Sequence, residues 1–198
     1  FIVDKIESLD KVQITNNFKQ LGISLEVDKY VEGKKGDKIY GSFMYATIID
    51  YDNNYDFPGS VRIKSSYHKS FGNMFLTVLG LEYEKQFFVN VANEGSSLQA
   101  WNNTLLWYFL GLELNIEIIN RQLIFGGYFS KPFVGNTDYG GDNKRTMDGN
   151  RVFGKFELEV LRNVRIKSEV IWSEMSSQGL TDLKNTHLTS ATYLIYSF

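Results

Sequence analysis

The 198-residue chain has no cysteine, two prolines and two histidines. Without cysteine there is no disulfide scaffold, no thiolate zinc site and no cysteine nucleophile, and the redox compartment is left undetermined. Any histidine-based chemistry must use His68 or His187. An excess of charge of one sign is missing too: 21 Lys and Arg stand against 23 Asp and Glu, for a formal net charge of −2. That balance argues against a nucleic-acid partner and against a polybasic membrane patch. Long hydrophobic runs are also lacking. The longest, Leu105 to Leu112, is flanked by Asn102, Asn103, Glu113 and Asn115, well short of the ~18 to 20 apolar residues a membrane-spanning helix needs. No basic stretch leads into an apolar core at Phe1-Ile2-Val3-Asp4, so the expectation is a chain without an export signal, either processed or trimmed.

What is abundant is aromatic residues (15%) and glycine (17 residues), arranged with a period of two. Such alternation points successive side chains to opposite faces of a strand. Leu21, Ile23, Leu25 and Val27 alternate with Gly22, Ser24, Glu26 and Asp28. Ile39, Phe43, Tyr45, Ile49 and Tyr51 share a parity, and Val61, Ile63, Ser65 and Tyr67 oppose Arg62, Lys64 and His68. Phe75, Thr77, Leu79, Leu81 and Tyr83 oppose Gly80, Glu82 and Glu84. The even positions from Leu106 to Ile118 oppose Trp107, Gly111, Glu113, Asn115 and Glu117. Val152, Gly154, Phe156, Leu158 and Val160 oppose Lys155, Glu157 and Glu159; Val164, Ile166, Ser168, Val170 and Trp172 oppose Arg165, Lys167 and Glu169. Leu188 to Phe198 alternates again. Runs of about ten residues match a tilted transmembrane strand and exceed the usual soluble strand.

Connections alternate in length. Short turns fall at Gly33-Lys34-Lys35-Gly36, Ser70-Phe71-Gly72-Asn73, Asn120-Arg121 and Arg162-Asn163, and longer loops at Asp52 to Ser60, Asn90 to Ala100, Lys131 to Asn150 and Ser176 to Asn185. This is the grammar of a single all-β domain, residues 1–198, folded as an up-and-down antiparallel transmembrane barrel of eight to ten strands, with turns periplasmic and loops outside. Nine runs are clear, and an even count with both termini at the turn end favours ten, the extra strand lying near Phe1 to Thr15, where alternation is poor. Aromatic residues gather near the ends of runs (Tyr40, Tyr51, Tyr55, Phe57; Phe71, Phe75; Phe87, Phe88; Tyr128, Phe129, Phe133), as an interfacial belt requires.

The terminal Thr192-Tyr193-Leu194-Ile195-Tyr196-Ser197-Phe198 resembles the C-terminal signal of bacterial outer-membrane β-barrel proteins, in which an aromatic last residue follows apolar residues at every second position. Leu188, Leu194, Tyr196 and Phe198 share one parity. The resemblance implies a bacterial outer membrane of a Gram-negative cell envelope, contact with membrane lipid and lipopolysaccharide, and insertion by the barrel-assembly machinery, with Leu194, Tyr196 and Phe198 as the assembly signal. The competing architecture is a soluble lipocalin-like carrier, which would turn the apolar faces inward.

If the apolar parity faces lipid, the lumen receives Arg62, Lys64, His68, Glu82, Glu84, Glu113, Glu117, Lys155, Glu157, Glu159, Arg165, Lys167 and Glu169. A barrel this small is filled by its own side chains, so these charges must pair. The expected lumen is plugged and salt-bridged. A narrow small-solute channel is the alternative, and a wide pore needs about sixteen strands.

Motifs with chemistry are few. His68-x-Ser70 is similar to the pair in outer-membrane phospholipases and lipid A deacylases, but Phe71 stands where those families place Asn directly after Ser. Its parity sets it in the lumen at the turn end, away from the outer leaflet, so the preferred reading is a structural histidine. Asp50 to Asp56 lacks the glycine and closing Glu of a calcium loop, and Gly140 to Arg145 lacks the strand-to-helix setting of a phosphate loop. No metal site or cofactor is expected. The reading is a small outer-membrane barrel acting as an anchoring or interaction protein, with an envelope protein as a candidate partner, ahead of a hydrolase using His68 and Ser70.

Overall fold

The computed structural model describes the backbone of residues 2–8, 13–50, 60–72, 74–90, 99–138, 144–177 and 183–197, and side chains over 21–47, 60–72, 74–85, 103–136, 146–176, 186 and 188–197. The chain is all-β: β1 (Ile2–Ser8), β2 (Gln13–Tyr30), β3 (Lys38–Asp50), β4 (Ser60–Phe71), β5 (Phe75–Asn90), β6 (Gln99–Ile118), β7 (Arg121–Asp138), β8 (Lys144–Leu161), β9 (Val164–Ser177) and β10 (Leu183–Tyr196). Each strand pairs antiparallel with its sequence neighbours, and β1 closes the ring onto β10. The tenth strand lies where alternation is weakest.

Turn chemistry sets one end. Gly33, Gly36 and Gly72 take positive φ, the left-handed region open to glycine. The β6–β7 hairpin turns on Ile119 and Asn120, with φ of 53° and 58°, so the two-residue loop lies one position before the expected Asn120-Arg121. Both residues are left-handed because a mirror-image turn matches the right-handed twist of the flanking strands. At the β2–β3 turn the Asp37 carboxylate accepts bonds from the Tyr67 hydroxyl and from the Ser70 amide at 2.9 Å. These donors hold its carboxyl below the ordinary value of 3.8.

At the other end the strands outrun their alternation. Lys131 to Asn150, expected as a loop, is mostly ladder: β7 runs to Asp138 and β8 starts at Lys144, with Asn136 opposite Thr146 and Thr137 opposite Arg145. A register break between Ser130 and Asn136, around Pro132, obscures the pattern there. Ser176 to Asn185 shortens likewise, since β9 reaches Ser177 and β10 starts at Leu183. Residues 52–59 of the expected Asp52 to Ser60 loop, most of the Asp50 to Asp56 segment and Gly140 to Asn143 lie outside the described residues, and Ser60 opens β4.

The two faces of the wall separate cleanly. Leu21, Ile23, Leu25, Val27, Phe75, Leu79, Leu81, Leu110, Leu112 and Leu194 point outward and are each more than half exposed. Glu82, Glu84, Glu113, Arg151, Lys167 and Glu169 are buried inside. This is the reverse of a soluble carrier.

Candidate functional site in the barrel lumen

The lumen is built by inward parity on strands β2 to β10. On the β5–β9 side, Val78, Phe109, Tyr128, Phe153 and Ile171 form a buried apolar cluster, with Tyr128 and Phe153 stacked at 4.3 Å and Phe109 edge-on to both. Inward-facing glycines make room for it. A Cβ at Gly80 would stand less than 3.0 Å from the Phe109 ring, and one at Gly111 less than 3.0 Å from the Tyr128 ring, both closer than a Cβ can approach. Lys64 reaches across from β4, its ammonium 4.6 Å from the ring centres of Phe109 and Phe153 and 5.2 Å from that of Tyr128, a cation–π setting.

Ion pairs fill the rest. Toward the loop end, the Arg151 guanidinium grips Glu82 at 2.5 Å and also Glu84, and lies 3.9 Å over the Trp107 ring. Trp107 Nε1 donates to the same Glu84 at 3.2 Å. Arg62 lies 3.7 Å from Glu84, 3.9 Å from Glu82 and 3.5 Å from Glu169. Glu169 pairs with Lys167 at 3.2 Å, and Lys167 with Glu26 at 2.6 Å. Toward the turn end, Lys155 bridges Glu113 at 2.5 Å and Glu157 at 3.9 Å, while Arg165 pairs with Glu157 at 2.6 Å. A buried charge is tolerable only when paired, and each charged group in the chain from Glu26 to Arg151 has an oppositely charged partner within 4 Å, although Nε of Arg62 and Nε of Arg151 are buried without a hydrogen bond among the described residues.

Eleven of the thirteen residues read from the sequence as lumenal lie in this interior: Arg62, Lys64, His68, Glu82, Glu84, Glu113, Lys155, Glu157, Arg165, Lys167 and Glu169. Glu117 and Glu159 do not join it. Both lie beside the β6–β7 turn, where Glu117 is exposed and the Glu159 carboxylate accepts the Gln122 amide at 3.2 Å. At that height inward parity already opens to solvent. Two members were missed, Arg151 and Glu26. Arg151 borders the segment read as a loop, and Glu26 showed only as one of the polar alternates of β2.

His68 is buried, with Nε2 2.9 Å from Ser66 Oγ and Nδ1 3.2 Å from Glu113 Oε2. This is the preferred reading, a lumenal histidine paired with Glu, and the alternative pair with Ser70 does not form. The Ser70 hydroxyl donates to the Gly72 carbonyl at 2.6 Å and its amide to Asp37. Ser66 and Ser70 both stand two residues from His68, so parity admits either, and the turn engages Ser70. His187 lies on β10, with its side chain outside the described residues. Among the described residues no cluster of three or more metal-ligating side chains occurs.

A cavity of about 50 Å³ opens among these groups, enough for a few waters. Glu26, Lys64, Ser66, His68, Tyr128 and Arg165 are among the residues that line it. Of the terminal strand, Leu194 and Tyr196 point outward at 76% and 58% exposure, and Phe198 lies outside the described residues.

No protein-family model and no curated protein sequence matches the chain. Among solved structures it is similar to in-vitro folded OmpT, an outer membrane protein of Vibrio cholerae, at 9% identity and a TM-score of 0.24, over 98% of this chain and 95% of that one. A likeness that slight carries no weight for function.

Proposed function

We propose that the chain is a small integral outer-membrane β-barrel that anchors or presents its loop end in the cell envelope, with a largely closed lumen whose own side chains block passage from one end to the other. The observation that carries this is the inverted wall, with apolar residues outward and a paired charge network within. Water would leave the outward leucines uncompensated, whereas lipid accepts them, and a closed ladder satisfies the backbone without water.

The dimensions fit. From Phe75 to Tyr83 the outward face of β5 is apolar or Thr, eight steps or about 26 Å along the strand, which a tilt near 40° reduces to about 20 Å of height, close to the ~25 Å band of such barrels. Phe71 pairs with Phe75, and Phe125 packs edge-on to Phe156 at 5.4 Å, which supplies an aromatic rim at the turn side. Tyr83, Tyr108 and Trp172 stand further toward the loops. The terminal Leu194, Tyr196 and Phe198 then serve as the assembly signal.

The chain should co-fractionate with outer membranes and show a heat-dependent shift on SDS gels, and deletion of Phe198 should reduce the assembled form. Recovery as a detergent-free soluble monomer overturns the proposal. In planar bilayers the purified barrel should not conduct. Stable single-channel steps would replace the closed lumen with the small-solute channel.

A further inference from the structure

We propose that Ser66, His68 and Glu113 form a serine-hydrolase centre that faces the lumenal cavity and cleaves small acyl esters entering from the turn-side mouth. A nucleophile, a base and an orienting carboxylate in hydrogen-bonded series are what such chemistry requires. Here the series is Ser66 Oγ to His68 Nε2 at 2.9 Å and His68 Nδ1 to Glu113 Oε2 at 3.2 Å.

The tautomer follows from the partners. An ionised carboxylate only accepts, and Glu113 is held in that state by the Lys155 ammonium at 2.5 Å and the Tyr128 hydroxyl. The bond to His68 therefore needs its proton on Nδ1. The Nε2 lone pair is then free to accept the Ser66 hydroxyl, the orientation a general base needs. Tyr40 packs edge-on to the imidazole at 5.9 Å and fixes its plane. Ser66 and His68 are both buried from bulk solvent, yet both line the cavity. Lys64 lines it too, and among the described residues no carboxylate lies within 4 Å of its ammonium. It is the group placed to offset negative charge that develops on a carbonyl oxygen.

In the reaction, Ser66 Oγ bonds to the ester carbonyl carbon while its proton passes to His68 Nε2. The tetrahedral intermediate collapses, the C–O bond to the alcohol breaks, and the leaving oxygen takes the proton from Nε2. Water then attacks the acyl-Ser66, giving a proton to Nε2, and Ser66 leaves with that proton as the carboxylic acid is released. Glu113 positions the imidazole and stabilises its transient charge. The about 50 Å³ of space limits the acyl group to roughly acetyl size, since it holds only a few waters.

The test uses the full barrel in detergent, with the heat-dependent gel shift as the control for folding. A small fluorophosphonate should add one covalent adduct, located on Ser66 by peptide mass spectrometry, and p-nitrophenyl acetate should turn over much faster than p-nitrophenyl octanoate. Ser66→Ala should abolish both signals, His68→Gln should lower kcat about a hundredfold or more, and Ser70→Ala should leave both unchanged. Glu113→Asp should keep part of the turnover that Glu113→Gln loses, with the difference in kcat rather than KM. Absence of an adduct on Ser66 in folded barrel, or ester turnover that persists in Ser66→Ala, overturns the proposal.

Discussion

The same strands present two faces that obey different rules. Outward positions such as Leu79, Leu81, Leu110 and Leu112 are all apolar and differ little in what surrounds them, so one can stand for another. Inward positions are individual: Arg151 is held by two carboxylates and a tryptophan ring, and Gly111 exists beneath one particular tyrosine. The outer face is specified by composition and the inner face by complementarity. Substitutions should therefore be tolerated outside by chemical class and inside only by fit.

The largest expected effect is inside. Arg151→Ala takes from Glu82 and Glu84, both buried and Glu84 beside Trp107, the guanidinium that both carboxylates grip, and breaking such a pair costs about 3 to 5 kcal/mol. Denaturant titration of the barrel in detergent, followed by tryptophan fluorescence, measures this. A loss below about 1 kcal/mol would place the arginine among ordinary surface pairs.

Next comes the outer face. Leu110→Arg or Leu112→Arg should cost about 2 to 4 kcal/mol near the bilayer midplane, whereas Leu110→Phe should change stability by less than about 1.5 kcal/mol. Refolding titrations into vesicles give both numbers. Equal effects from arginine and phenylalanine would abolish the contrast between class and fit.

A third change sharpens the inner rule at minimal chemical cost. Gly111→Ala adds one methyl against the Tyr128 ring and should destabilise by about 1 to 3 kcal/mol, the range for overpacking. Gly127→Ala, with open space where its Cβ would stand, should be neutral or mildly stabilising. The same titrations rank the two.

The smallest effect lies at the turn. The Asp37 carboxyl is held below 3.8 by the Tyr67 hydroxyl and the Ser70 amide. A group whose value is depressed on folding adds stability above its unfolded value and loses it as the pH falls through the folded one. Asp37→Asn should therefore flatten the decline in melting temperature below about pH 4 and lower it slightly at neutral pH. An unchanged acid limb would mean that the turn does not feel this carboxylate.

The legibility of the fold divides along the same lines. Alternation was readable where one face is almost wholly apolar, as in Phe75 to Tyr83, and it carried the parity of β2 to β6 and of β8 to β10. It failed where both faces are polar. Asn136, Thr137 and Asp138 pair with Thr146, Arg145 and Lys144, yet nothing in their order distinguishes a projecting hairpin from a loop. β1 was hidden for the same reason, as Asp4, Lys5 and Glu7 break its rhythm. Within the site, periodicity placed His68 inside but could not choose between Ser66 and Ser70. The aromatic cluster had a signal in the inward glycines Gly80, Gly111 and Gly126, since glycine on the filled side of a strand marks a close approach.

The central claim is that the outward parity meets lipid. The cysteine-free chain allows single Leu79→Cys, Leu81→Cys, Leu112→Cys and Lys85→Cys variants, each spin-labelled in the vesicle-inserted barrel and relaxed by oxygen or by a polar nickel complex. Labels at 79, 81 and 112 should be relaxed strongly by oxygen and weakly by nickel, and the label at 85, toward the loop end, should shift toward nickel. Strong nickel relaxation at 79, 81 and 112 would put that face in water and contradict the account.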